Sequence, residues 1–160
     1  MKIFVVVGTQ EPFNRMIKAI DLWALKNNFS DIFAQISKDH YIPKGFESTG
    51  FISPEIFDQK FKEAELIVSH AGMGTIISAL LHSKPIIVMP RLARYHEHRN
   101  DHQVATAKSF GKLNIVKDVY SEDELYEALD KASEMKPAPQ IGPYASEILL
   151  EFLKTEISGK

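Results

Sequence analysis

Residues 65–90 read ELIVSHAGMGTIISALLHSKPIIVMP. An apolar run leads into a turn of small residues, then into a helical stretch, then into a second apolar run. Leu66 to Val68 is short, continuous and rich in β-branched residues, as expected of a strand buried on both faces. Ser69 and His70 end that strand, Gly72 and Gly74 open the helix at 73–83, and 84–90 forms the next strand. Strand, tight turn, helix and strand make one crossover unit whose strands lie parallel.

The same alternation extends in both directions. KIFVVV (2–7) is a buried strand stopped by Gly8, and residues 14–27 carry Met16, Ile17, Ile20, Trp23 and Ala24 at helical spacing. Residues 31–37 and 45–53 are expected strands. Ser53 and Pro54 start a helix running to about Ala64, with serine as N-cap and proline at the first helical position. After the polar stretch 91–101, HQVATAKSFG (102–111) is helical with Gly111 as its stop. LNIV (113–116) is a short strand, and 121–135 is a helix opening with a capping box from Ser121 to Glu124.

Strands alternating with helices over the whole chain predict an α/β fold. The expected form is a doubly wound, mainly parallel, six-stranded Rossmann-like sheet. Residues 1–136 make one domain. Residues 137–160 are a proline-rich linker and a C-terminal helix with Tyr144, Ile148, Leu149, Phe152 and Leu153 on one face. That helix either packs on its own sheet or serves as an arm that docks on a partner.

Bulk properties narrow the function. At 160 residues and 44% hydrophobic, the chain can bury a real core. Nineteen basic and 21 acidic side chains give a formal charge of −2, which argues against a general nucleic-acid binder. There is no cysteine, hence no disulfide framework or thiolate metal site. Ile3 to Val7 is too short an apolar run for a signal-peptide core or a membrane span, so a cytoplasmic protein is expected.

Ligands of such sheets sit beyond the carboxyl ends of the strands. Three turns lie there. The first holds Gly8, Thr9 and Gln10, and reads either as an ordinary strand–helix turn or as a binding loop. The second is His70 to Thr75. Its glycines expose the first N–H groups of a helix, a natural seat for phosphate, or else they permit close helix–sheet packing. The third, 90–103, carries Arg91, Arg94 and Arg99, then Asn100, Asp101, His102 and Gln103 at a helix start. It reads as a sugar- and phosphate-binding loop or as a surface loop with a capping aspartate.

Several common motifs are absent. GMGTII lacks the third glycine of the dinucleotide fingerprint, and the next strand ends in VMPR without a ribose-binding acid. GFESTGFI (45–52) has no Lys-Ser/Thr after its glycines, so it is not a P-loop. His96, His98 and His102 do not form H-E-x-x-H, and there is no G-x-S-x-G elbow.

Taken together, VVVGTQEPF (5–13), AELIVSHAGMGTIISALLHSKPIIVMPR (64–91) and EHRNDHQVATA (97–107) resemble the C-terminal, donor-binding half of GT-B glycosyltransferases of family 28. They look most like members in which that half is a separate small subunit, as in the dolichol-pathway GlcNAc transferase and its bacterial exopolysaccharide counterparts. The resemblance implies half of a GT-B fold that holds a nucleoside diphosphate sugar, by default a UDP-sugar, and transfers a hexosyl group with inversion to a lipid-linked acceptor. It implies that His70, Ala71, Gly72, Met73, Gly74 and Thr75 hold the donor diphosphate. Gln103, with Asn100, Asp101 and His102, would meet the sugar. Gly8, Thr9 and Gln10 would face the cleft, and Arg91 or Arg94 would offset the leaving charge. Family members often carry a ribose-binding glutamate where this chain has Ser78, so ribose must be held differently. No cofactor or metal is expected. The general base lies in the acceptor half, so a membrane-associated acceptor-binding subunit is the expected partner, placing the chain at the membrane through that subunit. The sugar, the acceptor and any homo-oligomer of the isolated chain stay open, as do an epimerase and a non-catalytic nucleotide-binding subunit.

Overall fold

The computed structural model describes residues 1–138 and Glu151; the expected C-terminal helix and most of its linker lie outside the described residues. Six parallel strands form a single sheet: β1 (Ile3–Val6), β2 (Ile32–Gln35), β3 (Glu47–Thr49), β4 (Leu66–His70), β5 (Ile86–Met89) and β6 (Lys117–Asp118). Their spatial order is β3-β2-β1-β4-β5-β6, the doubly wound arrangement, with Ile3 beside both Ile32 and Leu66. Helices α1 (Asn14–Asn27), α2 (Pro54–Glu63), α3 (Met73–Leu81), α4 (His102–Lys112) and α5 (Glu122–Asp130) provide the covering layers.

Side-chain alternation along the strands divides the core into two. Ile3, Val5 and Val7 meet α1 and α5, while Phe4 and Val6 meet α2, α3 and α4. In β4, Leu66 and Val68 face the first layer and Ile67 the second, all three fully buried. This is why the central strands read as unbroken apolar runs.

Local chemistry sets the element ends. The Ser53 hydroxyl accepts from the Ile56 N–H at 3.3 Å with Pro54 at the first helical position. The Ser121 hydroxyl accepts from the Glu124 N–H at 3.2 Å, but the Glu124 carboxylate reaches one residue further back, to the Tyr120 N–H at 2.7 Å. α1 stops where Asn28 turns left-handed (φ 49°) and the Phe29 N–H returns to the Ala24 carbonyl at 2.9 Å.

Some expected boundaries move. Gly111 does not end α4, which runs to Lys112; the left-handed residue is Asn114 (φ 54°). Gly111 instead gives room to the Asp118 carboxylate, which a β-carbon there would force to shift. The sixth strand is 117–118 rather than 113–116, since residues 113–115 are used in leaving the helix. β3 is confined to three residues, and the helix after Ser121 gives way to a 3-10 turn at Ala132–Glu134. Ala138 is buried in the second cluster.

Candidate functional site

The strand order reverses between β1 and β4, and the chain leaves the sheet in opposite directions there. The loop after β1 and the turn after β4 face each other across that crevice, with His70 between them. Its Nδ1 lies 3.3 Å from the Val6 carbonyl oxygen. A carbonyl only accepts, so that contact puts the ring proton on Nδ1 and leaves a lone pair on Nε2. Burial, then the charge of Arg91, pushes the imidazole pKa down to about 4, so His70 is neutral near pH 7.

Two glycines make room for that ring. A β-carbon on Gly8, itself at φ +84°, would sit 3.1 Å from the imidazole Cε1. One on Gly72 would collide with Nε2. Gly72 therefore serves close packing, while Gly74 is exposed with nothing within 4 Å of a β-carbon position. No side chain caps the N-terminus of α3. Its first N–H groups stay open beside the crevice, at the positive end of the helix dipole.

A cavity of about 260 Å³ opens in front of His70. Gly8, Thr9, Gln10, Glu11, Arg91, His98, Arg99 and Gln103 line it. Two arginines against one carboxylate favour an anion. Of the other residues expected at the site, Ala71, Gly72, Met73, Gly74 and Thr75, and Asn100, Asp101 and His102, do not line it. The Asn100 carboxamide oxygen accepts from the His102 N–H at 3.0 Å, and the Asp101 carboxylate accepts from the Ala93 N–H at 2.9 Å instead of capping α4. Ala71 and Thr75 turn inward, at 3% and 8% exposure, and Met73 packs on the second core cluster. The Ser78 hydroxyl donates to the Gly74 carbonyl at 3.0 Å.

Arg91 does not present its guanidinium as a free phosphate ligand. At 3% exposure it donates to the carbonyls of Val7 (2.6 Å), Glu11 (2.7 Å) and Pro12 (2.7 Å), bracing the first loop. Its backbone N–H donates to the Gln103 carboxamide oxygen at 3.0 Å. With that oxygen engaged, Gln103 has its NH₂ group as the donor for a ligand.

Sequence reasoning missed the residues that hold these loops. The Gln35 carboxamide donates to the Gly8 carbonyl at 3.3 Å, and His40 Nε2 accepts from the Phe13 N–H at 2.9 Å. Arg15 and Glu97 pair through two contacts of 2.7 and 2.9 Å, and Glu97 also accepts from the Leu92 N–H at 2.9 Å. That pair ties the third loop to α1. Among the described residues, no three His, Asp or Glu side chains gather as a metal-holding group, and no helix is long and apolar enough to cross a membrane.

A cationic crevice thus lies at the switch point of a doubly wound sheet, next to an uncapped helix start. Residues 2–148 match the glycosyltransferase family 28 C-terminal domain, and the chain belongs to that family. It is 29% identical over 119 residues to the UDP-N-acetylglucosamine transferase subunit ALG13 of Debaryomyces hansenii, covering 72% of this chain and 51% of that one. The chain thus spans about half the length of that relative. The NMR solution structure of ALG13 superposes with a TM-score of 0.63 at 20% identity, covering 97% of this chain and 95% of that one. The UDP-GlcNAc 2-epimerase of Neisseria meningitidis, solved with UDP-GlcNAc, gives 0.55 at 17% identity, covering 96% of this chain and 45% of that one. These two likenesses establish the fold.

Proposed function

We propose that this chain is the donor-binding part of a two-component hexosyltransferase that uses a UDP-sugar and a lipid-linked acceptor. The observation that carries the proposal is the open N-terminus of α3 beside the cationic crevice, in a chain of family 28. The donor diphosphate rests on the N–H groups of Met73, Gly74 and Thr75, with Arg99 adding charge from the facing loop. Gln103 donates from its NH₂ group to a sugar oxygen. In the reaction the acceptor oxygen bonds to the anomeric carbon as the bond from that carbon to the diphosphate oxygen breaks. The acceptor proton passes to a base on the partner subunit, and UDP leaves with the bonding pair. The helix start and the arginine side of the crevice stabilise that leaving charge.

Calorimetry with UDP and UDP-sugars tests the donor site. Both are expected to bind, and Gln103→Ala is expected to weaken the UDP-sugar about tenfold more than UDP, as losing one neutral hydrogen bond implies. Equal losses would move the sugar elsewhere. Sugar transfer is expected only when an acceptor-binding partner is added. An isomerised sugar nucleotide formed without acceptor would favour an epimerase. Absence of binding by any nucleotide would favour a non-catalytic subunit.

A further inference from the structure

We infer that the outer face of α1, with the loop pinned against it, is a contact surface for an anionic membrane. α1 buries Met16, Ile17, Ile20, Trp23 and Ala24 and turns Lys18, Leu22, Leu25 and Lys26 to solvent as one stripe. Leu22 is 61% exposed and Leu25 48%. The adjoining loop extends this stripe. Asp21, 1% exposed, accepts from the Tyr41 hydroxyl at 2.6 Å, the Lys44 N–H at 3.0 Å and the Gly45 N–H at 2.7 Å. The loop lies flush on the helix, since a β-carbon at Gly45 would sit 3.2 Å from Leu25 Cγ. Lys18 Nζ stands 5.5 Å from the centre of the Tyr41 ring. Ile42, between these anchors, is 65% exposed, and Lys44 beside it is exposed.

The result is exposed Leu22 and Leu25 on the helix, and exposed Ile42 on the loop pinned to it, together with Lys18, Lys26 and Lys44. The one acid of α1 is Asp21, and its carboxylate is buried under the loop. Glu122 and Asp123 stand across the groove that Lys18 and Leu22 line. Composition favours lipid over a protein partner. Lysine is depleted at protein interfaces, whose anchors are mostly tryptophan, tyrosine and arginine. At a bilayer surface, lysine stems lie along apolar side chains while the ammonium groups reach lipid phosphates. Leucine and isoleucine between them enter the headgroup boundary. None of these residues lines the cavity at His70, so the inference stands apart from the donor site.

Co-sedimentation of the full chain with vesicles tests it. The chain is expected to pellet with phosphatidylcholine–phosphatidylglycerol vesicles, less so as salt rises, and not with phosphatidylcholine alone. Combining Lys18→Gln, Lys26→Gln and Lys44→Gln is expected to weaken binding about fivefold per lysine. The control set Lys108→Gln, Lys112→Gln and Lys117→Gln, on α4 and β6 away from α1, should bind as the unaltered chain does. Circular dichroism checks that both sets fold. No pelleting with the anionic vesicles at low salt would overturn the inference, as would equal losses from the two lysine sets. Protection of Leu22 and Leu25 by a protein partner, without vesicle binding, would reassign the face to that partner and overturn it as well.

Discussion

His70 occupies the seam between β1 and β4, and glycines at 8 and 72 leave the space for its ring. Its proton on Nδ1 faces the Val6 carbonyl, so a second proton would charge a largely desolvated ring beside the Arg91 guanidinium. The folded-state pKa, about 4, lies below the ordinary histidine value near 6.5. Between those values the unfolded chain takes up a proton that the folded chain refuses. Stability is therefore full above pH 6.5 and falls with pH toward about 4, by on the order of 3 kcal/mol from this group. His40, its pKa also lowered chiefly by burial, pulls in the same direction. Urea unfolding across that window should show the loss, and His70→Asn should flatten much of the slope. A slope unchanged by the substitution would remove His70 as its source. The sequence marks His70 and its glycines as special but does not separate their uses. An absent β-carbon at 72 makes room for a neighbouring imidazole and one at 74 leaves open space, and spacing alone cannot distinguish the two.

At the scale of elements, the site is two loops held from beneath. Residues 7–13 hang on Gln35, His40 and Arg91, and residues 91–101 on the Arg15–Glu97 pair. Arg91 reaches three carbonyls at once because a guanidinium is a planar fork of five donors. Lysine keeps the charge but not the fork. Arg91→Lys is expected to lower stability by about 2–3 kcal/mol, the scale of one lost charged hydrogen bond. It should also weaken nucleotide binding by loosening the Gly8–Gln10 turn. Thermal unfolding and calorimetry check both, and an affinity equal to that of the unaltered chain would show the brace to be irrelevant to binding. Local pattern anticipates elements of this kind well: the Ser53-Pro54 start, the Ser121 cap and helix 14–27 all stand where read. The braces escape that method. Carbonyl partners have no signature in side-chain identity, and Arg15 and Glu97 are 82 residues apart. The sixth strand escapes it too, because LNIV is apolar enough for a strand, yet Asn114 is still turning the chain out of α4.

In the whole molecule, strand–helix alternation anticipates the parallel sheet, and the expected place of ligands follows from where strand order reverses. The order itself is a long-range outcome, which short segments do not record. What the sheet presents is a crevice wall at its carboxyl end, with the start of α3 uncapped. A ligand that binds this wall in the folded state alone must stabilise the entire chain. At a hundredfold excess over its dissociation constant, UDP is expected to add about 2.7 kcal/mol. For a domain of this size that is a rise of roughly 5–10 °C in Tm. Gly74→Val separates the site from the fold. Residue 74 is exposed with nothing near its β-carbon position, so the Tm without nucleotide should change little. A branched side chain in the first turn of α3 is expected to crowd a diphosphate held on the open N–H groups, so the UDP-dependent rise should disappear. Differential scanning calorimetry of both proteins with and without UDP gives the four values needed. A full UDP-dependent rise in the valine variant would place the diphosphate away from this helix and leave the open tip without a ligand to explain it.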